Sequence, residues 1–330
     1  MFCLLLSWHL SNRQPINIYL SVILISKVNG DWNFWWTYDG ISGPEFWGIL
    51  NPDWFLCNKG HRQSPIDIKP GLLLYDPNLK SIFINKNRVN GILENNGHSV
   101  TFHCHPNRTD TLPININGGP LSYSYTFHSL HIHFGRIDSH GSEHSISGFQ
   151  FPGEIQIIGY NSDLYSSYEE AENKANGLTA IAIFLKQSEL SSPAIKILTS
   201  QLQHIKYRGQ RVTLKSLSLR ELIQDEQSYI TYEGSLTRPS CEEVVTWIVI
   251  NKPLFITKEQ LGTLRLLMQG NQEIPKAPLG NNFRPTQPLN DRVVRTSIEF
   301  RNHEKIMLCY VMLASNIAHI NGASLITPLK

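Results

Sequence analysis

The sequence predicts a β-dominated α+β fold, and three observations carry that prediction. Apolar residues alternate with period two over 130–134, 154–158 and 245–250, the pattern of strands that bury one face. Turn dipeptides, Asn96-Gly97, Gly118-Gly119 and His140-Gly141, punctuate short β-rich runs. Helical segments are few, the best being 166–176 and 192–203.

No repeat or low-complexity linker interrupts the chain between Trp32 and Phe300, so 31–300 is expected to be one domain. Before it, 1–30 contains the apolar run 18–25, preceded by Arg13 and followed by Ser26, Lys27 and Asn29. That run is too short to span a bilayer and has the layout of a secretory leader, so the protein is expected to be secreted. After the domain, 301–330 holds an apolar segment, 306–314, soon broken by Asn316 and His319, and ends in Pro328-Leu329-Lys330. It is too short and too polar for a membrane helix, and it does not suit a lipid-anchor signal, so it is expected to be a C-terminal extension.

At 330 residues, with 41% hydrophobic and 17% charged residues, the chain has the composition of a globular protein. Its 29 basic and 27 acidic residues leave a net charge of +2 with no long Lys or Arg run, which excludes a nucleic-acid partner. Five cysteines are too few for a disulfide scaffold, and the odd count leaves at least one unpaired or removed with the leader. The sequon Asn107-Arg108-Thr109 follows His105-Pro106 in an expected loop, a place for glycosylation at Asn107 in an exported protein.

The chemistry concentrates in Ser129-Leu130-His131-Ile132-His133-Phe134-Gly135. On a strand, His131 and His133 project from the same face, and two neighbouring imidazoles are one way to begin a zinc site. Alone, the pair is more often a polar strand face than a pair of ligands. Downstream, Gly141-Ser142-Glu143-His144 leads into Gly153-Glu154-Ile155-Gln156-Ile157-Ile158, a strand able to return antiparallel beside the histidines.

In this order these motifs resemble the α-carbonic anhydrases. So do Gln63-Ser64-Pro65-Ile66-Asp67, Ser235-Leu236-Thr237-Arg238-Pro239, Val245-Thr246-Trp247 and Asn282-Phe283-Arg284-Pro285. The resemblance implies a central twisted, mostly antiparallel sheet with short peripheral helices. It also implies zinc held by three histidines and a water whose pKa falls to about 7, giving the hydroxide that attacks CO2. His131 and His133 match the first two ligands, while the third falls on Gln156. A carboxamide is a weaker donor than imidazole, which leaves zinc held weakly or not at all.

By the same resemblance Thr237 and Glu143 match the pair that orients the hydroxide, and His98 the proton shuttle, a role suited to an imidazole. Glu154 and Asn282 match residues that support the ligands. Ser129 stands in place of a glutamine, Phe134 in place of a tryptophan, and Arg238 where a small residue is usual. Cys57 and Cys241 fall where secreted members carry their single disulfide. Within the family the chain resembles the carbonic anhydrase-related proteins of the tenth and eleventh type, which are secreted and regarded as lacking hydrase activity. A silent module that binds an extracellular or cell-surface protein is therefore expected, with CO2 or bicarbonate as ligand only if zinc is bound.

Overall fold

The structure, a computed structural model, describes residues 36–104 and 113–299, all within the compact unit that begins at Trp36. The expected leader 1–30, the sequon at Asn107 and the extension 301–330 lie outside the described residues.

Among the described residues there are fourteen strands: β1 (Asp67–Ile68), β2 (Leu74–Tyr75), β3 (Ile82–Ile84), β4 (Arg88–Asn95), β5 (Val100–Cys104), β6 (Asn115–Gly118), β7 (Tyr125–Phe134), β8 (Ser145–Ile146), β9 (Gly153–Asn161), β10 (Leu178–Gln187), β11 (Arg211–Ser218), β12 (Tyr229–Gly234), β13 (Val245–Ile256) and β14 (Arg295–Thr296). Twelve of them join one sheet along the path β11-β4-β5-β7-β9-β10-β13-β12-β14-β2, with β6 paired to β7 and β3 to β6. Most neighbours run antiparallel, but β10 pairs parallel with β13, and β14 with β2. The three period-two runs lie inside β7, β9 and β13.

Alternation along these strands divides the sheet into two faces. One carries Phe102, Leu130, Ile132, Ile155, Ile157, Ile181 and Ile248 into the larger core. Each such side chain contributes about 1.5–3 kcal/mol when fully buried. Two helices, α4 (Pro193–Thr199) and α5 (Lys258–Arg265), cover that core with Ile195, Leu198, Leu261 and Leu264. The other face carries a second cluster, with Ile158, Ala182, Phe184 and Trp247, and beside it the polar residues of β7 and β9.

Helices are shorter than the periodicity suggests. Over 166–176 only α3 (Tyr168–Ala171) forms, capped by the Ser167 hydroxyl, and Asn176 takes a left-handed φ of 53°. The 192–203 segment splits into α4 and a 3-10 turn, Leu202–Ile205. The longest helix, α5, was not anticipated, although Thr257 and Gln260 form the reciprocal capping box that its sequence spells. The remaining helices are single turns, α1 (Trp47–Leu50) and α2 (Leu56–Lys59); in α2, Cys57 forms a disulfide with Cys241, their Cα atoms 5.1 Å apart.

Candidate functional site

β7 and β9 build the floor of a cleft. Their register sets His131 opposite Gln156 and His133 opposite Glu154, while β5 sets Thr101 opposite His131. The apolar residues between them hold that register, because a slip of one residue would bury the polar set in the larger core. Above the floor is a cavity of about 60 Å3, lined by Trp36, Tyr38, His98, His133, Thr237 and Arg238 among others.

On the β9 side the floor is closely bonded. The Gln156 carboxamide donates both hydrogens of Nε2, to Glu143 Oε2 at 2.7 Å and to Glu154 Oε1 at 3.0 Å. Glu154 is fully buried and also accepts from His144 Nδ1 at 2.9 Å, the His144 amide at 2.9 Å and the Glu143 amide at 3.1 Å. Burial alone would raise its pKa, but the His144 imidazole and the hydrogen bonds from His144 and Gln156 hold it below the usual carboxylate value. The network continues from His144 Nε2 to Tyr232 Oη at 2.7 Å and from Tyr232 to Ser64 Oγ at 3.0 Å.

Glu143 is placed by the turn that begins at Gly141, where a Cβ would lie 2.0 Å from the Pro152 carbonyl oxygen, so only glycine fits. Its other oxygen, Oε1, accepts from the Arg284 amide at 2.9 Å and lies 3.6 Å from His133 Nδ1. Among the described residues, no hydrogen bond joins Thr237 to Glu143. The Arg284 side chain is buried over the Trp47 ring and donates to Gln63 Oε1, the Ser64 carbonyl and the Cys57 carbonyl. Burial pushes its pKa down to about 10. Arg284 and His144 belong to motifs noticed in the sequence, but their roles as anchors were not read from it.

On the β5 side the contacts are longer. His131 Nδ1 lies 3.4 Å from both Ser99 Oγ and Thr101 Oγ1, and its Nε2 lies 3.0 Å from Ser129 Oγ. Burial holds the His131 pKa well below its ordinary value, and the neighbouring Arg238 adds to the shift. His133 donates from Nδ1 to the Asn282 carbonyl at 2.6 Å, which leaves Nε2 as a bare lone pair. The Asn282 side chain in turn bonds the Phe134 amide and the Ile132 carbonyl, fixing the end of β7.

The rim holds His98 in the β4–β5 turn, where Gly97 takes φ +89°. Its ring stacks on Trp36 at 3.9 Å, and burial, then Arg208 and Lys276, push its pKa down to about 4. Arg238 donates from Nη2 to Tyr168 Oη at 3.1 Å, and Tyr168 stacks on His128 at 3.8 Å. The Arg238 carbonyl also accepts from the Cys241 amide, so the disulfide restrains the loop that carries Thr237. Of the sequence-predicted site residues, His98, His131, His133 and Thr237 line the cleft, while Glu143, Glu154, Gln156 and Asn282 are buried in the hydrogen-bonded layer behind it. Among the described residues, no group of three or more His, Cys, Asp or Glu could hold a metal.

A His-x-His strand, an in-register third position on its neighbour, and a glutamate, threonine and histidine around the same cleft define a domain of the α-carbonic anhydrase plan. The model of the eukaryotic-type carbonic anhydrases matches residues 42–298. The chain is also 39% identical over 267 residues to carbonic anhydrase-like protein 2 of Caenorhabditis elegans, covering 79% of this chain and 78% of the relative. It belongs to the eukaryotic-type carbonic anhydrase family.

Proposed function

We propose that this chain is an acatalytic carbonic anhydrase-related protein, exported from the cell, whose sheet serves as a rigid scaffold for binding an extracellular or cell-surface protein. One observation carries the silent assignment: at the third ligand position Gln156 turns two N–H donors onto carboxylates. The donor set does not fit a catalytic zinc, which takes three strong protein donors. His133 offers a lone pair, but His131 Nε2 faces Ser129 and the β9 position is a neutral amide. Two further features agree. An imidazole held at about pH 4 is mostly neutral at pH 7 and a poor proton relay there, as His98 is. Arg238 fills part of the cleft wall with a cation, which disfavours a second positive charge nearby.

Export is supported by the disulfide, because such bonds persist in oxidising compartments, and by the apolar run 18–25. Glycosylation at Asn107 belongs to the same reading. A second reading, weak zinc-dependent CO2 hydration on His131, His133 and Gln156, is favoured by the two imidazoles kept side by side on β7.

Elemental analysis of protein purified without added zinc, followed by CO2 hydration assays on the wild type and Gln156→His, separates the two. Zinc well below one per chain and no turnover are expected for the wild type. Stoichiometric zinc with sulfonamide-sensitive turnover would sink the silent reading.

A further inference from the structure

Gln156 does more than lack a ligand nitrogen. Each oxygen of Glu143 accepts one hydrogen bond within the floor, Oε1 from the Arg284 amide at 2.9 Å and Oε2 from Gln156 Nε2 at 2.7 Å, so the carboxylate is held toward β9. Thr237 is 4% exposed, and among the described residues no hydrogen bond joins its hydroxyl to that carboxylate. The two carboxylates that flank Gln156 are each fully buried, and an amide N–H2 is the one neutral side-chain group able to give a hydrogen to both at once. An imidazole at position 156 would place a single N–H toward Glu154, leaving Glu143 Oε2 open to another donor.

We infer that Gln156 is a positioning residue that clamps Glu143 to Glu154 and has thereby taken Glu143 from Thr237, so that the hydroxyl-orienting pair is dismantled separately from the metal site. This rests on the reading of Gln156 as something other than a ligand. It extends that reading, because a zinc ion forced into the cleft would meet a threonine whose partner is already engaged. The clamp also gives the buried carboxylates a hydrogen-bonded floor that needs no cation.

Double-mutant cycles of chemical denaturation on the full chain, run in EDTA, test the inference by asking which residue is coupled to Glu143. Gln156→Met should lower the folded-to-unfolded ratio about tenfold or more, because two buried acceptors each lose a donor. Thr237→Val should change it less than about threefold. The cycle of Gln156→Met with Glu143→Met should depart from additivity by about fivefold or more, and that of Thr237→Val with Glu143→Met by no more than about twofold. In a Gln156→His background, coupling between Thr237 and Glu143 should appear. Coupling of Thr237 to Glu143 in the wild type overturns the inference, whatever Gln156 does.

If the Glu143 or Gln156 variants do not fold, the wild type answers by nuclear magnetic resonance. Both Gln156 side-chain amide protons should be protected from exchange and unshifted by zinc; rapid exchange, or a zinc-dependent shift, overturns the clamp. Hydrase activity with stoichiometric zinc would overturn the silent reading instead. Because the cycles are run in EDTA, the two failures are told apart.

Discussion

The two halves of the cleft floor are built differently. On β9, Gln156 and Glu154 sit in hydrogen bonds of 2.7–3.1 Å that reach through Glu143 and His144 to Tyr232 and Ser64. On the side toward β5, His131 Nδ1 lies 3.4 Å from Ser99 and Thr101, and its Nε2 lies 3.0 Å from Ser129 of its own strand. The same strand pairing positions both halves, so the backbone does not account for the difference. It follows from side-chain chemistry: an amide can satisfy two carboxylates from the protein's own resources, whereas the His131 imidazole meets only neutral hydroxyls, one at 3.0 Å and two at 3.4 Å. One half of the floor closes on itself, and the other is left loose.

The contrast can be broken most severely at Glu154. Glu154→Leu removes the acceptor of four hydrogen bonds and should destabilise the fold by about 3–5 kcal/mol, as loss of one member of a buried charged network does; urea titration of the wild type and variant checks it. Acid should act on the loose side. His98 and His128 are each pushed down to about 4, both first by burial, then His98 by Arg208 and Lys276 and His128 by Arg238. A histidine whose folded pKa lies below its unfolded value of about 6.5 leaves stability intact above pH 6.5. Stability is then lost as pH falls toward 4, by at most about 1.4 kcal/mol per pH unit for each ring. The loss between pH 6.5 and 5 should flatten in His98→Phe, which keeps a ring against Trp36.

A smaller effect is expected at the far end of the tight half. Tyr232→Phe removes the hydroxyl between His144 and Ser64 and should cost about 1–2 kcal/mol by the same titration. Smallest of all, Ser99→Ala should cost less than about 1 kcal/mol, since its contact with His131 is near the limit of a hydrogen bond and only the 3.1 Å bond to Thr101 is lost outright. A larger cost there would mean that the two halves are equally knit.

Much of this was legible beforehand. The alternation of β7, β9 and β13 was visible because a buried sheet face writes period two into the chain, and the place of Gln156 on the strand beside His131 followed from motif order. The two-residue strands β2 and β14 were not visible, because pairing to distant neighbours, not local propensity, makes them strands. The parallel match of β10 with β13 was hidden for the same reason. Glu143 was read as a partner of Thr237, and its attachment to Gln156 was not foreseen. That choice depends on which donor comes within about 3 Å, a distance that residue identity does not encode. Helix α5 is a different case, for Thr257 and Gln260 carried its start signal in plain order.

The disulfide links residues 184 apart in sequence, and Leu74 on β2 pairs with Arg295 on β14. Both connections tie the front of the domain to its far end. A growing chain therefore carries the front partner of each connection unpaired until most of the domain has been synthesised. Closure of these two connections is a late event, and the appearance of the oxidised Cys57–Cys241 bond is a usable clock for it.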